Sequence, residues 1–148
     1  MFIKSKKKVE DLMSENISIS LPSKPEYVSI ARLTASVIAN KMGFNVEDIE
    51  DIKVAVGEAC NNAVLHGNQD DNNFDVEFTV QDDSFIIEIR DKGKGFEVDK
   101  CPEPDLCAPK ENGLGIFIIK SLMDEVEIES FCGKGTVIKM FKYLKEEV

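Results

Sequence analysis

The sequence lacks every spacing that marks a zinc site. Its four cysteines, Cys60, Cys101, Cys107 and Cys132, include no Cys-x-x-Cys pair, and histidine occurs once, at His66. A zinc centre would need scattered ligands, and reduced thiols are the expected state. No apolar run reaches the ~18 residues that a membrane span requires, so no membrane association is expected. Lys4, Lys6, Lys7 and Lys8 are followed by Val9-Glu10-Asp11-Leu12. A secretory leader would place an apolar core there, so secretion is not expected and a cytoplasmic location is. No internal repeat or low-complexity tract interrupts the chain. Gly-x-x-x-x-Gly-Lys-Ser/Thr is missing, which excludes a P-loop. Val98 stands where a dinucleotide fingerprint needs its third glycine.

What is present is one domain's worth of chain. Its 148 residues bury roughly two thirds of their unfolded surface without disulfide staples. Residues 1–14 read as a basic tail, either solvated or an electrostatic docking arm, and residues 15–148 as the domain. Net charge is −10, which disfavours direct binding to nucleic acid or anionic lipid and favours a partner with a basic contact face. Such a protein can still hold a polyanion through backbone N–H groups, a metal ion and a few local lysines.

Periodicity gives the elements. Asn16–Leu21 alternates as a strand, and Pro22-Ser23-Lys24-Pro25 ends it. A helix is predicted from Pro25 to Gly43, with Val28, Ala31, Leu33, Ala35, Val37 and Ile38 as its apolar face. A second helix is predicted from Val46 to His66, with Ile49, Ile52, Val56, Ala59 and Ala63 as its core stripe. Strands follow at 74–80 and 85–90. Residues 92–112 carry two glycines, three prolines and few large apolar groups, the character of a lid or binding loop. A helix at 114–123 and strands at 126–131 and 136–143 complete the chain. The sum is an α/β sandwich, one mixed and mostly antiparallel sheet with helices on one face.

Three constellations stand out. Glu58, Asn62 and His66 recur every four residues on the second helix, so each lies about 6 Å beyond the last on one side. A solvated face would explain them. The small neighbours Ala55, Ala59 and Ala63 leave room for a ligand, however, and the consecutive Asn61 and Asn62 are mediocre helix formers. Asp91-Lys92-Gly93-Lys94-Gly95 follows a strand. The aspartate can accept from a ligand amine, and the glycines let a ring approach the backbone. Gly113-Leu114-Gly115 opens the next predicted helix, where exposed N–H groups and the positive dipole end favour phosphate.

Taken in order, Glu58-Ala-x-x-Asn62-Ala-x-x-His66-Gly, Asp91-x-Gly-x-Gly95, Gly113-x-Gly115 and Gly135-Thr136 resemble the nucleotide-binding boxes of the ATPase superfamily that includes gyrase, Hsp90, histidine kinases and MutL. The spacing, and Asn112–Val126 above all, look closest to the bacterial anti-sigma factor serine kinases. The resemblance spans about residues 16–143 and implies a Bergerat-type ATP-binding fold. It implies that Glu58 is the general base toward a serine hydroxyl and that Asn62 holds Mg²⁺ bridging the phosphates of ATP. Asp91 would accept from the adenine amine, with Thr136 in support. Gly93, Gly95, Gly113, Leu114 and Gly115 would border the nucleotide, and Phe96–Asn112 would be the ATP lid. Phosphoryl transfer needs chiefly positioning and charge neutralisation, which suits this set.

One departure concerns the lid. Some members of that family carry an arginine just before the second glycine box, where Glu111 stands here, preceded by Lys110. Lys110 is the available substitute, but as a point charge rather than a fork. Cys101 and Cys107 also fall in the lid. Arg32 matches a partner-contacting position and reads equally as a surface arginine.

The leading expectation is a homodimeric anti-sigma factor that sequesters a sigma factor and phosphorylates an anti-sigma-factor antagonist on serine. The alternatives are a switch-type serine kinase without sigma binding and a non-catalytic, ATP-gated binding module. A self-phosphorylating histidine kinase is excluded, because His66 is committed to the nucleotide helix.

Overall fold

In a computed structural model, which describes residues 14–66, 73–93, 110–131 and 135–145, five strands form one open sheet covered by three helices on one face. The strands are β1 (Glu15–Pro22), β2 (Asn73–Val80), β3 (Ser84–Arg90), β4 (Glu125–Phe131) and β5 (Gly135–Tyr143). The helices are α1 (Val28–Met42), α2 (Val46–His66) and α3 (Lys110–Leu122). The strand order is β1-β2-β3-β5-β4, and every neighbouring pair is antiparallel. The expected mixed sheet is therefore corrected. Among the described residues the helical crossover from β3 leads to the far edge strand β4, and β5 returns between them, so no parallel pair forms. The predicted basic tail lies outside the described residues, apart from Ser14.

Strand alternation sorts the sheet's two faces. Phe74, Val76 and Phe78 of β2, Phe85, Ile87 and Ile89 of β3, and Ile138 and Met140 of β5 are buried beneath the helices. Phe85 lies 6.0 Å from Phe78 and 6.5 Å from Phe44, ring centre to ring centre. The opposite face carries residues such as Asp75, Glu77, Glu88 and Lys139 in half-exposed positions. The turn between β2 and β3 closes with Gln81 N–H donating to the Ser84 carbonyl at 3.0 Å and Ser84 Oγ to Gln81 Oε1 at 2.9 Å.

Local chemistry sets the helix ends. Pro25–Tyr27 forms a 3₁₀ turn rather than the first turn of α1. Gly43 ends α1 at φ 98°, a left-handed conformation that costs glycine little, and the Gly43 and Phe44 N–H groups reach back to Asn40 and Ala39. Asn45 caps α2, its Oδ1 accepting the Asp48 N–H at 2.7 Å. Far along the fold, the buried Lys142 Nζ donates to the Leu122 carbonyl at 2.6 Å and stands 3.8 Å from Asp48 Oδ1. One cation thus ties the last turn of α3 to the first turn of α2.

Burial corrects two sequence expectations. On α1, Val28, Ala31, Ala35, Ile38 and Ala39 are buried, but Leu33 and Val37 remain 61% and 60% exposed. These two lie outside the narrow arc that rests on α2 and the sheet. On α2, Ala55, Ala59 and Ala63 join Ile52, Val56 and Cys60 in the core. The alanines do not leave space for a ligand; they are packed into the core. Burial pushes the Cys60 thiol up to about 12, so it behaves as a small apolar side chain.

Candidate nucleotide site

The site gathers at the end of α2, where that helix meets the turn after β3 and the N-terminal half of α3. With the alanine stripe in the core, Glu58 and Asn62 stand half-buried on another side of the helix. Among the described residues, no hydrogen bond or ion pair engages either side chain. Glu58 faces α3, because a Cβ added to Gly115 would sit 3.2 Å from Glu58 Oε2. Asn62 lies one turn further toward the β3 turn.

Asp91 is built in from the opposite side. It is only 7% exposed. Its Oδ1 accepts the Gly93 N–H at 2.9 Å and the Thr136 N–H at 3.2 Å, while its own N–H donates to the Thr136 carbonyl at 3.0 Å. Desolvation raises the carboxyl above the usual range, against the opposing effects of the Gly93 and Thr136 N–H groups and the charge of His66. Two accepted bonds on Oδ1 fix the carboxylate, and among the described residues no hydrogen bond reaches Oδ2. Thr136 therefore acts on Asp91 through its backbone. Its hydroxyl lies 3.3 Å from Ser130 Oγ, a contact that sequence reading had not found because it depends on the β4–β5 register.

The glycines around Asp91 are needed for close approach. A Cβ on Gly93 would collide with the His66 carbonyl, so this glycine lets the end of α2 abut the β3 turn. A Cβ on Gly135 would collide with the Asp91 carbonyl, and Gly135 has φ 99°. Gly135→Ala is expected to destabilise the protein by at least about 1–3 kcal/mol, from left-handed strain before any steric cost. Urea unfolding measures this directly.

The third predicted element is displaced. α3 begins at Lys110, so Lys110 and Glu111 open the helix instead of ending a loop. Gly113, Leu114 and Gly115 occupy its fourth to sixth positions, not its N-terminus. Glycine disfavours such positions. Gly115 is accounted for by its contact with Glu58, whereas among the described residues an added Cβ on Gly113 would meet nothing within 4 Å. Leu114 is 63% exposed. Gly115→Ala should stabilise α3 by up to about 1 kcal/mol, yet crowd Glu58 and slow serine phosphorylation about tenfold. Thermal melts and single-turnover rates on one sample would separate the two effects. Gly95, most of the predicted lid, Cys101 and Cys107 lie outside the described residues.

Among the described residues Glu58 and Asn62 present a carboxylate and an amide without partners on one helix face, and that helix ends against the turn that holds the buried Asp91 carboxylate, a donor and acceptor set suited to a nucleotide. The family model for the histidine kinase-like ATPase domain matches residues 21–142. This chain belongs to that family. It is 42% identical to the serine-protein kinase RsbW of Oceanobacillus iheyensis over 88% of each chain. It is 41% identical to the RsbW of Bacillus licheniformis, over 90% of this chain and 89% of that one. Against the RsbW of Bacillus subtilis it is 37% identical over 90% and 89%. Among solved structures, the RsbU and RsbW domains of a Mycobacterium tuberculosis protein superpose with a TM-score of 0.69 at 20% identity. That match covers 90% of this chain and 33% of the other, and it bears on the fold alone. The fold is thus the α/β sandwich of this ATPase family. Among the described residues no helix is long and apolar enough to cross a membrane.

Proposed function

We propose that this protein is a cytoplasmic, ATP-dependent serine kinase and anti-sigma factor. It holds a sigma factor and phosphorylates an anti-sigma-factor antagonist on serine. The observation that carries the reading is that Glu58 and Asn62 stand one turn apart, without partners among the described residues, on the helix whose end abuts the turn of the pinned Asp91 carboxylate. The names of the relatives, serine-protein kinases at about 40% identity across nearly the whole chain, support the same activity.

In this mechanism Asp91 Oδ2 accepts from the adenine amine, and its fixed Oδ1 bonds set the ring's orientation. The Asn62 amide oxygen, a hard ligand, would hold Mg²⁺, which when bound neutralises charge on the phosphates. The Gly113–Gly115 segment of α3 would border the phosphates, and Lys110 would supply a cation to them. Glu58 accepts the proton of the substrate serine hydroxyl as its oxygen attacks. Arg32, exposed on α1, contacts the protein partner. The functional unit is a homodimer.

Affinity capture from the source organism's lysate, run in parallel with Mg·ATP and Mg·ADP, tests this reading by mass spectrometry of bound proteins and their phosphoserines. A sigma factor retained with ATP and a small phosphorylated antagonist support it. A phosphorylated regulator without a sigma factor moves the assignment to a switch kinase. Retention of partners without any phosphoserine moves it to a non-catalytic module.

A further inference from the structure

Gly57 sits in the middle of α2, between Val56 and Glu58, where no turn calls for it. Glycine weakens a helix interior, and among the described residues the positive-φ glycines are Gly43 and Gly135 only. The reason for Gly57 lies on the neighbouring helix. A Cβ there would come 2.9 Å from Cδ and 3.7 Å from Cγ of Arg32, and among the described residues would meet nothing else within 4 Å beyond the adjacent residues and backbone of its own helix. The missing side chain is thus a seat for the aliphatic stem of Arg32, which crosses from α1 onto α2 one residue before Glu58. Arg32 is exposed, and among the described residues its guanidinium makes no hydrogen bond or ion pair. In a protein of net charge −10 an unpaired arginine held by its stem is unusual. The exposed Leu33 and Val37 continue from it along the same helix.

We infer that Gly57 is a positioning residue for the protein substrate. It holds the Arg32 stem against α2, so that the guanidinium meets a carboxylate of the phosphoacceptor beside Glu58. The planar guanidinium recognises a carboxylate by two parallel bonds, and holding its stem beforehand removes part of the ordering cost of docking. This inference rests on the reading of Arg32 as a partner contact.

The seat gives an unusual combination of effects. Arg32 is flexible, so a methyl at position 57 would displace it at little cost, while alanine favours the helix. Gly57→Ala should therefore raise the melting temperature by about 2–4 °C. With labelled ATP and the unphosphorylated form of the protein that capture identifies as carrying phosphoserine, it should raise KM for that protein about tenfold, with kcat and ATP affinity changed little. Arg32→Ala should do the same to KM, and the double variant should be no worse than either single one. A Gly57→Ala enzyme with wild-type KM, beside an Arg32→Ala enzyme with raised KM, overturns the seat and leaves the Arg32 contact standing. Wild-type KM in Arg32→Ala overturns both. Without any partner, a nuclear Overhauser contact between the Arg32 δ protons and the Gly57 α protons is expected in the wild type, and its absence also overturns the seat.

Discussion

Glu58→Gln is expected to lower the rate of serine phosphorylation by about 10²–10⁴-fold while leaving ATP binding close to wild type. The amide is nearly isosteric with the carboxylate but cannot take up the hydroxyl proton. The surroundings make the substitution clean. Among the described residues Glu58 has no hydrogen-bond or ion-pair partner, so no internal bond is broken. Its nearest constraint is Gly115, which offers no polar side chain. Single-turnover transfer from labelled ATP, alongside calorimetric ATP titration, reads both quantities. An unchanged transfer rate sinks the general-base role. A matching loss of ATP affinity would instead make Glu58 part of nucleotide binding.

Asp91→Asn is expected to weaken ATP binding by about 10–150-fold, the worth of a hydrogen bond to a charged group. The variant amide oxygen can still accept from Gly93 and Thr136, so the turn should keep its shape. Its NH₂ group then faces the adenine amine, donor against donor. Stability should move the other way or not at all, because the wild-type carboxylate is buried at a desolvation cost. The pH dependence follows with its sign. The folded-state pKa of Asp91 is raised above the unfolded value. Its stabilising contribution is therefore fully present below the unfolded pKa and is lost as pH rises through the folded pKa. ATP affinity needs the ionised acceptor, so it falls as pH drops through that same raised pKa. Wild-type protein should thus gain stability from this residue and lose ATP affinity on acidification, and Asp91→Asn should show neither effect. Denaturant unfolding and ATP titration at matched pH values would check the pair. A variant that binds ATP like the wild type would remove Asp91 from adenine recognition.

Gly57→Ala, Gly115→Ala and Asp91→Asn form an informative group. Each is expected to leave the fold as stable or more so while weakening a proposed functional contact. Gly135→Ala is expected to differ in kind, because its cost falls on the backbone of the Asp91 turn. Glycines of one residue type thus divide into those that serve the chain path and those that make room for a neighbour's side chain.

The sequence by itself determined which segments become helices and strands, because polar and apolar residues repeat with periods that only those structures satisfy. It also determined the spacing of Glu58 and Asn62, since four residues along any α-helix return to nearly the same side. The order of its glycine boxes was enough to mark a family. Only the tertiary structure decided which apolar residues are core: Leu33 and Val37 fit the helical pattern yet stay exposed, because burial depends on what packs against the helix. It likewise placed Ala55, Ala59 and Ala63 in the core and put Gly113–Gly115 inside α3, where local propensity favoured a later start. The bonds from Gly93 and Thr136 to Asp91, and the Arg32 stem over Gly57, join residues distant in the chain. Pattern within one segment carries no record of such contacts; they arise when separate elements are brought to a common core, and their distances are set there.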